Sequence, residues 1–319
     1  MIQDITSNKI RPIVAVDAGN RFIKWITPTK QVRTLLSCIA ELDKYDQYSL
    51  NANCPHTVYV ELENGKKYLI GREAAQMGGQ MVFDGDKCEL AEILVLAALQ
   101  PLPGESELVV EDLRLCLPDS RIDASREALQ RLTGHRVFTR NSLRIHLQVD
   151  NVRAVDETVG SFRKAKNDDL FQYSGALNGV ISLGGKDGIA RLYTPDGNIN
   201  RSADVKISGT LALITHINKA LAVELGKTVK PSIIMDAIEK GDYLIHGTGF
   251  NFSKIFFNCR DKWWSEIRAA VGNQWQPFSD EIGEVLVVGG SAHLVIKKLP
   301  NDRYIVPTEP QSFDLRGLV

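Results

Sequence analysis

Residues 12–27, PIVAVDAGNRFIKWIT, put Asp17 straight after a run of strand formers, follow it with Gly19 and Asn20, and then begin a second strand. An ionised carboxylate at the mouth of a buried strand is costly unless something compensates it. The alternation predicts strands over 13–17, 21–27 and 31–39, the first two joined by a Gly19–Asn20 turn suited to positive φ, as an antiparallel meander.

Half a chain later the pattern returns in NGVISLGGKDGIARLYTPDGNINRS, residues 178–202. Setting Gly184 against Gly19 puts Ile181 on Val16 and Ser182 on Asp17. Two such units predict two related lobes facing each other across a cleft. Between them the spacing predicts a hairpin over 57–71 turning at Asn64–Gly65, a helix over 88–99 stopped by Pro101 and Pro103, and a strand at LRLCLP. Asp123 is expected to cap a helix over ASREALQRL, and a strand pair follows at 135–155, with a helix starting near Asp156. Helices are expected at 208–225, 231–240 and 254–271, and EVLVVGGSAHLVIKKL reads as a strand running into a helix.

The 319 residues suffice for two domains of about 150 each. Apolar residues at 44% and charged residues at 24% describe a globular chain and exclude a disordered or fibrous one. With 38 basic and 39 acidic side chains there is no electrostatic footprint for nucleic acid or an anionic membrane. Cys38, Cys54, Cys88, Cys116 and Cys259 form no CxxC, and the N-terminus is polar, so a reducing cytoplasm is expected. The run ILVLAAL at 93–99 falls far short of the roughly 20 residues a bilayer requires. The six histidines show no metal-ligand spacing.

Three glycine-bearing turns remain: Asp17–Asn20, Gly184–Gly188 and Gly289–Ala292. Each alone is an ordinary tight connection, but glycines at strand ends let backbone amides approach phosphate oxygens, and a helix from Ser291 would aim its positive end at a ligand. Together they point to a polyphosphate ligand. Neither GxxxxGK[ST] nor GxGxxG occurs, which sets aside those two phosphate-binding schemes.

IVAVDAGNRFIKW, VISLGGKDGIARL and VLVVGGSAHLV resemble the first phosphate loop, second phosphate loop and adenosine motif of the actin-like ATPases of the actin, heat-shock chaperone and sugar kinase superfamily. The chain is most similar to bacterial plasmid-segregation actins of the ParM/StbA type. YLIGREAAQMG, LRLCLPDSR, VDETVGSF, SGTLALITHINKAL and VPTEPQSFDLRGL match in the same order, so the resemblance spans almost the whole chain.

The resemblance implies an α/β fold of duplicated, ribonuclease H-like lobes, 1–165 and 166–319, around a nucleotide cleft, with smaller subdomains near 37–84 and 215–283. It implies ATP or GTP with Mg²⁺, head-to-tail polymerisation reversed by hydrolysis, and plasmid or DNA segregation through a DNA-binding adaptor, with no direct nucleic-acid or membrane contact. By resemblance Asp17 faces the metal, usually through water; the other reading is an Asx turn near Gly19. Lys24 is either a phosphate ligand or a solvated edge residue, and Glu157 either orients the attacking water or is a first-turn helix acid. Gly19, Asn20, Gly184, Gly185, Lys186, Asp187, Gly289, Gly290 and Ser291 complete the nucleotide-binding set.

The departures are Ser182, where the family carries an acid, and Lys186–Asp187, where it often has threonines; Asp187 is a neighbouring replacement, and hydrolysis is expected to be slow, altered or absent. Asp314 stands where asparagine is common, and the short tail is expected to pack less well on the first lobe. Trp263 and Trp264 point about 100° apart on a helix. Either one of Trp263, Trp264 and Trp275 lies in a filament contact, or a wide core stripe holds them. A non-polymerising small-molecule kinase and a weakly hydrolysing, nucleotide-gated scaffold are the competing functions.

Overall fold

The computed structural model describes residues 12–43, 45–46, 56–82, 87–299 and 303–319; Cys54 and the polar N-terminal segment lie outside them. The chain divides into two units. One runs through Val159 and takes in Leu315–Val319; the other is Gly160–Asp314.

In the first unit β1 (Ile13–Ala18), β2 (Phe22–Ile26) and β3 (Val32–Leu36) form the antiparallel meander. Ala18 pairs with Ile23, and neither Gly19 nor Asn20 takes a positive φ, so the connection is longer than the expected two-residue turn. The chain continues through β4 (Cys38–Leu42), β5 (Thr57–Leu62), β6 (Lys67–Gly71), α1 (Arg72–Gln76) and β7 (Gln80–Met81). Then come α2 (Lys87–Ala98), β8 (Glu107–Leu117), α3 (Asp123–Gln130), β9 (Gly134–Arg140) and β10 (Leu143–Asp156). All ten strands join one sheet, ordered β3-β2-β1-β8-β10-β9-β5-β6-β4-β7. Helix α2 is apolar almost all round, and Leu94–Leu99 are buried in the core, as such a helix requires. Asp123 does not cap α3: Ile122 holds that position, and the Asp123 carboxylate pairs with Arg126 inside the first turn.

Helix α4 (Val159–Asn167) begins at the division. The second unit's sheet is built from β11 (Leu177–Ser182), β12 (Asp187–Tyr193) and β13 (Ile199–Ser208). After it come α5 (Thr210–Leu225), α6 (Pro231–Lys240), the small hairpin β14 (Leu244–Ile245) and β15 (Phe250–Asn251), and α7 (Ser253–Trp275). Strands β16 (Ile282–Val288) and β17 (Tyr304–Ile305) complete the order β13-β12-β11-β16-β17. Beyond β16 the expected α-helix is absent among the described residues; two single 3-10 turns, Ala292–Leu294 and Ile296–Lys298, take its place. Trp263, Trp264 and Trp275 are 0%, 3% and 5% exposed, so all three belong to the core stripe of α7 and none is a surface contact.

The duplication reaches the hydrogen-bonded register. In both units a central strand opens an antiparallel meander of three strands on one side and is followed by two parallel strands on the other. Val16 faces Trp25 and Asp17 faces Lys24; at the equivalent places half a chain later, Ile181 faces Ala190 and Ser182 faces Ile189.

The C-terminal α8 (Phe313–Arg316) corrects the expectation of a weakly packed tail. Leu315 and Leu318 are buried with Ala15, Ile26 and Cys116 of the first unit, and Arg114 donates to the Leu318 carbonyl. Among the described residues no helix is long and apolar enough to cross a membrane.

Candidate functional site

The sequence-predicted residues fall into two groups, one per unit. In the first, the β1–β2 register sets Asp17 directly opposite Lys24, and Lys24 Nζ lies 2.6 Å from Asp17 Oδ2, the two side chains being 14% and 20% exposed. The strand-end carboxylate is thus balanced by an ammonium from the neighbouring strand. Burial alone pushes the Lys24 pKa down; the charge and hydrogen bond of Asp17, aided by Cys116 and Glu157, outweigh it, and the net shift is upward. Glu157 therefore shares the electrostatic neighbourhood of the pair. Its amide donates to the Leu117 carbonyl at 2.7 Å, between β10 and α4, and α4 has no acid in its first turn, so the helix-acid reading of Glu157 falls. The next residue, Thr158, is buried at φ 79, a conformation β-branched residues rarely adopt.

The first turn leaves no room for a side chain at Gly19. A Cβ on Gly19 would lie 2.6 Å from the Phe22 carbonyl oxygen. Ser37, buried just after β3, donates its hydroxyl to the Gly19 carbonyl at 2.7 Å. Among the described residues the Asn20 amide meets no acceptor.

In the second unit a Cβ on Gly184 would collide with the Asp187 carbonyl oxygen, the same three-residue relation as in the first turn. Thr210 at the start of α5 donates to the Gly184 carbonyl through its amide at 3.0 Å and its hydroxyl at 3.2 Å, and the Leu211 amide donates to Gly185 at 2.7 Å. The first two amides of α5 are thus spent on the glycine turn. The Gly185 amide, like that of Asn20, meets no acceptor among the described residues. Lys186 is exposed, and its carbonyl accepts from Gly209 at 3.0 Å; Asp187 pairs with Lys206 at 3.0 Å. Ser182 faces Ile189, so this half has neither the acid nor the cation of Asp17–Lys24.

Gly289, at φ 95, passes close to Leu183, where a Cβ would lie 2.5 Å from the carbonyl oxygen. The Gly290 carbonyl is 2.9 Å from His293 Nδ1. Ser291 is 7% exposed; its amide donates to Leu183 at 3.2 Å and its hydroxyl bonds that of Thr210. Ser291 begins only a 3-10 turn, so the helix-dipole role expected there is absent. Sequence reading passed over Ser37 and Thr210; the signal was their similar place, one and two residues after the third strand of each meander.

Among the described residues no three His, Cys, Asp or Glu side chains converge as a metal cage. The Asp17 carboxylate is already balanced by Lys24, so it could serve Mg²⁺, which keeps several waters and leans on phosphate oxygens, only through those waters.

Residues 15–160 match the family described as "Actin like proteins N terminal domain". An archaeal actin homologue in complex with ADP superposes with a TM-score of 0.76 over 96% of this chain and 97% of that one. The fold is actin-like. A 15-stranded ParM filament from Clostridium botulinum gives a TM-score of 0.75 over 97% of both chains at 15% identity, and the apo psk41 ParM protein 0.68 over 96% and 95% at 17%. The archaeal homologue is 14% identical, so the actin-like architecture is shared across wide sequence divergence. No curated protein matches the chain.

Proposed function

We propose that this actin-like chain binds ATP or GTP with Mg²⁺, assembles head-to-tail into filaments, and acts in plasmid or DNA segregation through a DNA-binding adaptor. One observation carries the nucleotide part: two glycine turns in matching register, half a chain apart, each present a backbone amide, Asn20 and Gly185, with no acceptor among the described residues. Phosphoryl transfer asks little covalent chemistry of a protein; it asks for held phosphates, compensated charge and a positioned nucleophile. Backbone amides near Gly19, Asn20, Gly184 and Gly185 would hold phosphate oxygens, with Lys24 and Lys186 as point charges and Gly289, Gly290 and the Ser291 region on the nucleoside side. Mg²⁺, when bound with the nucleotide, screens phosphate charge. Asp17 would meet its hydration shell, and Glu157 would orient water. Head-to-tail contacts are heterologous and do not close, as a filament requires. The net charge of −1 favours an adaptor over direct DNA binding.

A second reading, a nucleotide-gated scaffold with little turnover, is favoured by Ser182 facing Ile189. Titration with Mg-ATP and Mg-GTP, pelleting and phosphate release test both. Assembly with turnover supports the filament ATPase, assembly without turnover the scaffold, and turnover that needs a metabolite without assembly a kinase. Indifference to both nucleotides overturns the nucleotide-binding proposal.

A further inference from the structure

The same hydrogen-bonding device recurs in both units, on the side of each glycine turn away from the unengaged amide. Ser37, 0% exposed, donates its hydroxyl to the Gly19 carbonyl at 2.7 Å and its amide to the Arg21 carbonyl at 2.8 Å. In the second unit the two jobs are split: Gly209 donates its amide to Lys186 at 3.0 Å, and Thr210 donates hydroxyl and amide to Gly184. Arg21 stands to Lys186 in the alignment of the two units as Gly19 stands to Gly184.

A peptide group is planar and trans, so the carbonyl of one residue and the amide of the next point in opposite directions from one rigid plate. Fixing the Gly19 oxygen fixes the aim of the Asn20 N–H; fixing the Gly184 oxygen fixes that of Gly185. Without side chains at 19 and 184 these plates have a wide range of rotation, and the hydroxyls remove it. The Thr210 hydroxyl also bonds Ser291, so the second glycine turn and the third are held to one another through a single part-buried oxygen pair.

We infer that Ser37 and Thr210 are paired positioning residues that aim the Asn20 and Gly185 amides at phosphate oxygens. The inference rests on the nucleotide reading proposed above. It assigns to the Ser291 hydroxyl the part of a latch partner. It also predicts that the Ser37 hydroxyl acts on the phosphate-dependent share of affinity alone, and that the Thr210 hydroxyl, bonded to Ser291 as well, acts on that share more than on the nucleoside's.

The test measures, on the full chain, affinity for the preferred Mg-nucleoside triphosphate and for its nucleoside in the wild type, Ser37→Ala, Thr210→Val and Thr210→Ser, with thermal unfolding alongside. Ser37→Ala and Thr210→Val are expected to weaken triphosphate binding about tenfold, the value of one well-made hydrogen bond, with nucleoside affinity unchanged in Ser37→Ala and reduced by less than the triphosphate's in Thr210→Val. Thr210→Ser is expected to restore the wild-type ratio of the two affinities. Equal losses for nucleoside and triphosphate, or no loss in either folded variant, overturn the inference while leaving nucleotide binding intact. Should Thr210→Val fail to fold, Ser37→Ala, in the other unit, decides. A wild type that binds no triphosphate overturns the nucleotide reading itself and the inference with it.

Discussion

Lys24 and Asp17 form a half-buried pair whose members are worth more together than apart. Removing one charge strands the other, at a cost between the surface and buried limits, so Lys24→Met is expected to lower stability by about 2 kcal/mol, read from urea midpoints at neutral pH. The pH dependence follows from the raised Lys24 pKa. The pair's contribution is whole below the ordinary lysine pKa of 10.5 and is lost as pH climbs through the raised folded value, so the wild-type advantage over Lys24→Met should shrink only in strong alkali. Position 182 offers the converse experiment. Ser182→Asp installs a carboxylate opposite Ile189 and is expected to destabilise; adding Ile189→Lys rebuilds the cross-strand pair. A double-mutant cycle should return a favourable coupling of about 1 kcal/mol. Both Asp17 and the departure at Ser182 were legible as residues, but their partners were not. A two-residue Gly19–Asn20 turn would have set Asp17 against Phe22; the longer connection slides the register and brings in Lys24.

Helix α7 shows what one element does for a sheet edge. β13 ends the second sheet, and its pairing with β12 shifts between Ala190 and Leu192. Gln274 donates to the Ser202 carbonyl at 2.7 Å, Trp275 to Ala203 at 2.9 Å and Trp263 to Ser208 at 3.3 Å, so the helix satisfies carbonyls along that edge. Trp264 is different: its indole nitrogen is buried and meets no partner among the described residues. Trp264→Phe is therefore expected to be neutral or slightly stabilising, whereas Trp275→Phe loses a buried hydrogen bond and should cost about 1 to 2 kcal/mol, both measured by urea unfolding. A Cβ on Gly179 would lie 2.7 Å from the Trp275 ring, so Gly179→Ala is expected to cost about 1 to 3 kcal/mol by overpacking. The helices α5, α6 and α7 were legible from period and from their Pro and Gly boundaries. The segment after Gly290 was not: SAHLVIKKL carries helical spacing, yet Ser291 and Ala292 are drawn inward by Leu183 and Thr210, and only 3-10 turns fit.

Across the whole molecule the repeat was legible because it leaves a strand-turn-strand signature twice, and the ten-stranded continuity of the first sheet was not, because it depends on β9 meeting β5 far apart in sequence. Nor did the sequence reveal where the last residues go. Leu318→Ala is expected to cost about 2 to 5 kcal/mol in the unit that contains Trp25, leaving the unit that holds Trp263, Trp264 and Trp275 unaffected. Fluorescence of single-tryptophan variants would separate the two transitions. The return of Leu315 and Leu318 to the core beside Ala15 also orders events on the ribosome. The second unit is continuous in sequence and is free to fold as it emerges, whereas the first, although its strands are made before it, stays unfinished until residues 315–319 have followed the second unit out of the exit tunnel, its central strand short of a cover in the meantime.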